Sequence, residues 1–193
     1  MYLPTYFEIT DSAEIHSFIE ANAFGQLIST VDGKLFSTHM PFLVNADCST
    51  LSGHLAKPNP QHISIDDQEV LITLDGPHDY ISPSWFTTPG VPTWNYQTVH
   101  IYGVCKRIED PQHITDIIHA LTAKYEAGFA LPWQPSYNPA MVGALVGIEI
   151  KITQIQCKYK LSQNRSLQDQ TQVIEQLEQR GSLQLAAAMR KNI

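Results

Sequence analysis

The stretch FGQLISTVDGKLFSTHMPFLV, residues 24–44, predicts a β-hairpin. Residues 24–31 and 34–44 are rich in the apolar, β-branched and aromatic side chains that favour strands. The dipeptide Asp32-Gly33 between them tolerates the positive φ angles that a two-residue hairpin turn requires. The stretch therefore predicts that the fold contains an antiparallel sheet.

Five further strands are predicted after the hairpin. They comprise residues 49–55, 69–75, 78–85, 94–108 and 144–159. Two prolines make residues 56–61 a loop at a strand end, because proline donates no hydrogen bond to a sheet. Gly76-Pro77 is expected to turn the chain between two strands. Alternate positions of the longest strand region share a face that carries Trp94, Tyr96, Thr98, His100 and Tyr102.

Helices are predicted before, between and after the strands. The first spans residues 11–22 and begins with a capping box, and the second spans residues 110–128 with proline in its first turn. A third begins at Ser166, and Gly181-Ser182 is expected to divide it in two. About seven strands with outer helices favour a small antiparallel barrel, and the pattern alone does not choose among barrel types.

The composition is that of a globular protein. The 193 residues are 43% hydrophobic and 16% charged, which predicts one domain or one domain with an appendage. The net charge of -7 argues against a large nucleic-acid-binding surface. Three cysteines without C-x-x-C spacing are interpreted as free thiols. With no signal-peptide pattern and no long apolar run, the protein is expected to be soluble and cytoplasmic.

Four polar clusters lie at the ends of predicted elements. They are residues 37–41, 53–60, 92–96 and 160–165. Each has an ordinary structural interpretation: half-exposed sheet surface, a solvated cation at Lys57, core packing of Trp94 and Tyr96, and the polar start of a helix. No cluster is specific by itself.

In combination, the four clusters suit a phosphorylated ligand that carries a flat ring. A phosphate needs a cation and hydroxyl groups, whereas a ring needs apolar or aromatic walls with a few amide contacts. The candidates for the phosphate are Ser37, Thr38, Lys57 and Arg165. The candidates for the ring are Met40, Trp94, Asn95 and Tyr96. This combination is consistent with a nucleotide cofactor and does not select one.

Other chemistries have less support in the sequence. The eight histidines show neither H-x-x-x-H spacing nor a close cysteine–histidine spacing, so no metal site is predicted. There is no G-x-S-x-G motif, no P-loop and no G-x-G-x-x-G motif. No catalytic residue is assigned.

Six motifs, by their order and spacing, resemble the PaiB-type family of FMN-binding transcriptional regulators. They are STHMP (37–41), GHLAKPNPQ (53–61), GPHDYISPSW (76–85), GVPTWNY (90–96), VHIYG (99–103) and KLSQNR (160–165). The resemblance covers nearly the whole chain. It implies a mainly β fold with flanking helices, a six- to seven-stranded antiparallel split barrel similar to pyridoxamine-phosphate-oxidase-like proteins. It also implies a split-barrel domain over residues 1–160 and a C-terminal helical extension over residues 161–193.

The resemblance implies FMN as the cofactor, held at the interface of a homodimer. Residues 37–41 would line the flavin, residues 54–59 would reach its phosphate, and residues 94–96 or 160–165 would come from the other subunit. The implied cofactor-binding residues are Ser37, Thr38, His39, Met40, His54, Lys57, Asn59, Trp94, Asn95, Tyr96, Gln163 and Arg165.

For function, the resemblance implies negative regulation of genes, for instance those for protease production and sporulation. Two alternatives stay open because one fold can host several functions. The first is a flavin-dependent reductase or oxidase, and the second is a haem-handling split barrel with a strand histidine as axial ligand. Direct DNA binding is not expected, because the chain is acidic and shows no DNA-reading element.

Overall fold

The computed structural model describes residues 1–193, in which one sheet contains eight strands. The strands are β1 (Glu8–Ile9), β2 (Phe24–Val31), β3 (Lys34–Pro41), β4 (Leu43–Val44), β5 (Thr50–Ala56), β6 (Glu69–Ile81), β7 (Thr93–Ile108) and β8 (Leu145–Lys160). Their order is β3-β2-β6-β7-β8-β5-β4, and β1 pairs with β8. The pairs β1–β8, β2–β3, β2–β6, β4–β5 and β5–β8 are antiparallel.

Six α-helices accompany the sheet. They are α1 (Ser12–Ala21), α2 (Gln61–Ser64), α3 (Pro111–Glu126), α4 (Pro139–Gly143), α5 (Leu167–Gln179) and α6 (Leu183–Lys191). Two 3₁₀ turns lie at Thr5–Phe7 and Pro83–Trp85. The short helices α2 and α4 were not predicted, since one turn carries no periodic pattern. No helix is both long and apolar enough to cross a lipid bilayer.

The hairpin is confirmed. Asp32 and Gly33 both have positive φ, at 49° and 74°, and the pairing runs from Val31 opposite Lys34 to Phe24 opposite Pro41. The prediction that the return strand continues to residue 44 is wrong, because the ladder ends at Pro41. Phe42 instead donates its backbone N–H to the carbonyl of Ala23, and β4 then pairs with β5.

The predicted turn at Gly76-Pro77 is wrong, because β6 continues through both residues. Proline has a φ compatible with extended backbone, and its presence costs only one donor in the ladder. Residues 83–85, predicted as strand, form a 3₁₀ turn. The Ser82 side chain accepts a hydrogen bond from the backbone N–H of Ser84 and begins that turn.

The predicted helix starts are confirmed by their caps. The carboxylate of Asp11 accepts from the N–H of Glu14 at 2.8 Å, and that of Asp110 accepts from the N–H of His113 at 2.8 Å. The Ser166 hydroxyl accepts from the N–H of Asp169 at 3.1 Å. Gly181, at a φ of 83°, lies in the break between α5 and α6. Such caps are local, so a sequence can reveal them.

The chain divides into two compact units. The hairpin unit comprises residues 16–74 and 100–155, and the terminal unit comprises residues 1–15, 75–99 and 156–193. The hairpin unit has a buried core of Ile19, Leu27, Phe42, Leu51, Ile72, Ile148 and Ile150. The terminal unit has its own buried core, which consists of Leu161, Val173, Ile174, Leu177, Leu185 and Met189. The division at residue 160 stays a prediction.

Candidate functional site

Seven of the predicted cofactor-binding residues belong to the hairpin unit. Ser37, Thr38, His39 and Met40 lie on β3, His54 lies on β5, and Lys57 and Asn59 lie in the loop that follows β5. The two strands approach closely, because a Cβ added at Gly53 would lie 2.4 Å from the Met40 methyl group. The absence of a side chain at Gly53 therefore lets buried Met40 pack over β5.

A buried amide joins β3 to this loop. Gln61, which is 0% exposed, donates its Nε2 hydrogens to the Ser29 hydroxyl at 2.8 Å and to the Leu27 carbonyl at 3.1 Å. Its Oε1 accepts from the Thr38 hydroxyl at 2.7 Å. Its backbone N–H donates to Oδ1 of Asn59 at 3.0 Å. Gln61 was missed as a site residue, although it closes the GHLAKPNPQ motif.

Thr38 and Asn59 are part of the same network. The Thr38 hydroxyl donates to Gln61 and accepts from Nδ2 of Asn59 at 2.8 Å. Its only hydrogen is therefore committed within the chain. In this arrangement Thr38 and Asn59 hold the loop in place, and the Thr38 hydroxyl has no hydrogen left to donate to a phosphate.

Lys57, by contrast, has an uncommitted ammonium group. Its side chain is exposed and makes no hydrogen bond or ion pair within the chain. Its backbone is held, because its N–H donates to the carbonyl of Ala144 at 2.9 Å and its carbonyl is bonded to Nε2 of His62 at 2.9 Å. The loop thus presents a free cation on a fixed backbone, which is what an anionic ligand requires.

Lys57 also lines a cavity of about 390 Å³ beside the first turns of α3. Gln112 and Thr115 of α3 contribute polar groups to this cavity, and Glu109 contributes a carboxylate. That carboxylate lies 3.4 Å from the Arg107 guanidinium, so its charge is partly balanced by a residue other than Lys57.

Ser37 and His39 are exposed on β3. The Ser37 hydroxyl donates to Oε1 of Gln26 at 3.0 Å. The His39 ring stacks near Phe24 with centroids 6.3 Å apart, and Phe24 is 62% exposed. These side chains form a partly apolar outer face of the hairpin.

The other five predicted residues belong to the terminal unit. Trp94 is 53% exposed, so the expectation that it packs in the core is wrong. It forms an aromatic group with His78 and Tyr80, whose ring centroids lie 6.4 and 6.2 Å away. The Nζ of Lys158 lies over the Tyr96 ring, 5.5 Å from the ring centroid. Of these rings, Trp94 has the accessible surface that a flat ligand needs.

Asn95 and Gln163 use their amides inside the terminal unit. Asn95 is fully buried and donates to the Ser162 hydroxyl at 2.9 Å. Gln163 accepts from the N–H of Leu161 at 2.7 Å and donates to the carbonyl of Tyr159. Both amides hold the turn after β8, so their contribution to ligand binding would be to position that turn.

Lys160 holds the first two residues of β7, and Arg165 holds the segment before that strand. Lys160 donates to the Thr93 hydroxyl and to the Trp94 carbonyl, each at 2.6 Å, and burial followed by the charge of Lys158 lowers its pKa. The Arg165 guanidinium lies 4.3 Å from the Phe86 ring centroid and donates to the Pro89 carbonyl at 3.1 Å.

Asp169 fixes the same segment from α5. It is 1% exposed, and its carboxylate accepts from the hydroxyl and the N–H of Thr87, each at 2.7 Å, and from the Thr88 hydroxyl at 2.9 Å. These hydrogen bonds, with the Thr87 hydroxyl first, lower the pKa of Asp169 to about 2. The sequence indicated only a place near a helix cap for this residue.

Acid should therefore release this anchor. The pKa of Asp169 is about 2 in the folded chain, below the ordinary value of 3.8, so its stabilising effect is complete above about pH 4 and is lost as pH falls towards 2. Urea unfolding at pH 7, 4 and 2.5 should show Asp169→Asn less stable than wild type at pH 7, by a margin that shrinks in acid. Glu175→Gln, an exposed change on the same helix, is the control. A margin that does not change with pH would contradict this.

Comparison with known proteins adds sequence and fold relationships. The sequence family described as "Putative FMN-binding domain" matches residues 1–154. "Protease synthase and sporulation protein PAI 2" of Bacillus subtilis (strain 168) is 39% identical over 186 residues, which cover 92% of this chain and 89% of that protein. An Aspergillus fumigatus protein is 28% identical over 244 residues, covering 94% and 92%.

Solved structures share the fold at low sequence identity. The flavocytochrome Anf3 of Azotobacter vinelandii has a TM-score of 0.67 at 14% identity, covering 86% of this chain and 75% of that one. The conserved hypothetical protein Rv2991 of Mycobacterium tuberculosis has a TM-score of 0.61 at 16% identity, covering 86% and 94%. These similarities confirm the predicted fold class, a mostly antiparallel sheet with flanking helices of the split-barrel type.

Proposed function

From the premise that the chain belongs to the family described as "Putative FMN-binding domain", we propose that it binds FMN and that Lys57 holds the phosphate. The observation that carries the proposal is the uncommitted ammonium of Lys57 on a backbone fixed by Ala144 and His62. A dianionic phosphate gains a charge-assisted hydrogen bond from such a group without breaking an existing ion pair.

The residues present fit the rest of the cofactor. Trp94 offers an exposed aromatic face, and His39 and Ser37 are exposed on β3. Thr38, Asn59, Asn95 and Gln163 are hydrogen-bonded within the chain and act by holding their segments in place. When bound, FMN supplies electron transfer in one- or two-electron steps, while these residues bind and orient it.

FMN should bind more tightly than riboflavin or FAD. Riboflavin lacks the phosphate that Lys57 would hold, and FAD carries an adenosine for which the chain has no dinucleotide motif. Titration of the purified, flavin-free protein should give riboflavin an affinity about 10- to 100-fold lower than that of FMN. Equal affinity for riboflavin would show that the phosphate contributes nothing and would remove the phosphate site.

We further propose that FMN is held between two copies of the chain. The hairpin presents Phe24 and Leu35, which are 62% and 83% exposed, and β3 ends the strand order. Leu35 lies on β3 and Phe24 lies on the neighbouring β2. Exposed apolar side chains on and beside a terminal strand favour pairing with a second copy. Trp94 to Tyr96 or the segment 160–165 would then come from the partner.

Light scattering on a sizing column should give twice the chain mass of 21.7 kDa at micromolar concentration. Leu35→Asp, which places a charge on the proposed interface, should shift the protein towards monomer and weaken FMN binding in parallel. Lys151→Asp, an exposed change elsewhere in the hairpin unit, is the control. A monomer that binds FMN at full affinity would exclude the shared site.

The physiological role that we propose is gene regulation. Support comes from the 39% identity to "Protease synthase and sporulation protein PAI 2". With 12 Lys and Arg against 19 Asp and Glu, the chain would act through a protein or metabolic partner without reading DNA itself. An electrophoretic shift with a steep salt dependence would contradict this part of the proposal.

A flavin-dependent oxidoreductase is the second candidate. The observation that favours it is a separate cavity of about 540 Å³ lined in part by Pro41 and His54, which are themselves within the segments predicted to contact the cofactor. Turnover of NADH or NADPH by the FMN-loaded protein would support the enzyme. The absorption spectrum of the purified protein separates flavin from the intense band of a haem, and so tests the haem-handling alternative as well.

A further inference from the structure

The larger cavity of the hairpin unit, about 540 Å³, has aromatic and aliphatic walls. It lies between β5, the second half of α3 and the chain that follows α3. Leu121 and Tyr125 of α3 form one side, and Trp133 and Tyr137 form another. None of the lining residues is a lysine or arginine. The cavity has the size of a small-molecule site and lacks any group that would bind a phosphate.

The aromatic wall is ordered by contacts of its own. Tyr137 stacks with His119 at a centroid distance of 5.3 Å, and Trp133 meets Tyr137 edge-on at 5.9 Å. The backbone N–H of Trp133 donates to a Glu126 carboxylate oxygen at 2.6 Å. A ligand would therefore find the rings already in place and would pay little to order them.

His54 and Tyr125 are the polar side chains of this cavity that form no hydrogen bond within the chain, and His54 is the more buried of the two. The hydroxyls of Thr122 and Tyr137 are bonded to each other at 2.6 Å, and Glu126 is used by Trp133. His54 Nδ1 is buried without a hydrogen-bond partner, so the nitrogen that can meet a ligand in the cavity is Nε2, which also has no partner in the chain. Burial lowers the pKa of His54, so its ring is neutral at pH 7 and can donate or accept one hydrogen bond.

We propose that this cavity binds a fused-ring aromatic molecule that carries one hydrogen-bonding group and no negative charge, with His54 as the partner of that group. Flat rings pack against the aromatic wall. A negative charge would lose its hydration with no lysine or arginine to replace it, and the Glu126 carboxylate in the lining would repel it. The site is distinct from the proposed phosphate site at Lys57 and does not require that FMN binds there.

The first test compares probes that share one ring system. 2-Naphthol, naphthalene and naphthalene-2-sulfonate are titrated by calorimetry or equilibrium dialysis into the full chain, both FMN-loaded and flavin-free. 2-Naphthol should bind both forms, and the sulfonate should bind at least about tenfold more weakly. Equal or tighter binding of the sulfonate would overturn the exclusion of anionic ligands.

The second test compares variants of the cavity. His54→Leu should weaken 2-naphthol about three- to tenfold and leave naphthalene unchanged, because only the hydrogen bond is lost. Trp133→Ala should weaken the binding of both 2-naphthol and naphthalene about tenfold. Leu131→Ala, a 91% exposed change on the same segment outside the lining, is the control. Met141→Trp, a half-exposed position that fills the cavity, should abolish binding without touching β5.

The outcomes separate the alternatives. An equal loss of 2-naphthol and naphthalene in His54→Leu would remove the hydrogen bond from the proposal. Unchanged binding in both Trp133→Ala and Met141→Trp would place the probe elsewhere and overturn the site. Displacement of riboflavin by 2-naphthol would show that the cavity holds the flavin ring itself, and the separate site would be wrong even though FMN binding would stand.

Discussion

Replacing Lys57 by alanine should weaken FMN binding about 10- to 100-fold and leave riboflavin binding unchanged. A charge-assisted hydrogen bond to phosphate contributes roughly 1.5–3 kcal/mol, and each 1.4 kcal/mol is about a factor of ten in affinity. Lys57 can contribute this energy because its ammonium group has no competing partner, and Glu109 in the same cavity is close to Arg107. The stability of the fold should stay within about 0.5 kcal/mol of wild type.

Parallel titrations of FMN and riboflavin measure this effect. Lys57→Arg keeps the charge and should retain most of the affinity, whereas Lys151→Ala removes another exposed lysine of the hairpin unit and should change neither ligand. An unchanged FMN affinity in Lys57→Ala would remove Lys57 from the site. Equal losses of FMN and riboflavin would mean that the substitution disturbs the loop and does not remove a phosphate contact.

Replacing Gln61 by leucine should destabilise the protein by about 3 kcal/mol and lower its Tm by roughly 6–12 °C. The leucine side chain fits the volume but removes the amide that bonds Ser29, Leu27 and Thr38. The buried Ser29 hydroxyl would then lose its donor, and the Thr38 hydroxyl would keep only Asn59 as a partner. A buried polar group left without its partner costs roughly 1–3 kcal/mol.

Thermal and urea unfolding of wild type and Gln61→Leu test this expectation. The matched control is Gln112→Leu on the exposed side of α3, which loses one surface contact with Asp116 and should change stability by less than about 0.5 kcal/mol. Below its Tm, Gln61→Leu should bind FMN and riboflavin with similar losses, because it removes the side-chain bond between residue 61 and Thr38 and does not touch Lys57. A stability equal to that of wild type would show that the network does not hold the loop.

The two substitutions separate binding from positioning. Lys57→Ala should change the ratio of FMN affinity to riboflavin affinity and leave the Tm unchanged. Gln61→Leu should lower the Tm and leave that ratio unchanged. This contrast follows from their surroundings, since one side chain is exposed and free and the other is buried and fully bonded. Measuring both quantities in both variants therefore tests whether the loop at the end of β5 binds the cofactor, holds the fold, or does both.

Much of the fold could be predicted because its signals are local. The hairpin follows from two residues that accept positive φ between two strand-forming segments, and the helix starts follow from side chains that bond a backbone N–H three residues away. The break in β3–β4 and the continuation of β6 through Pro77 could not be predicted. Both depend on which neighbour a strand pairs with, and a pairing partner lies far away in sequence.

For the candidate site, the sequence by itself determined which residue types occur together: a lysine followed by two prolines, hydroxyls on a strand, and aromatic residues at the start of a long strand. Only the tertiary structure decided which of these groups are free. Gln61 meets Ser29 and Thr38 across separations of 32 and 23 residues, and Asp169 meets Thr87 across 82. Hydrogen-bonding capacity is used up by whichever partner the fold brings near, and so Thr38 is committed while Lys57 stays available.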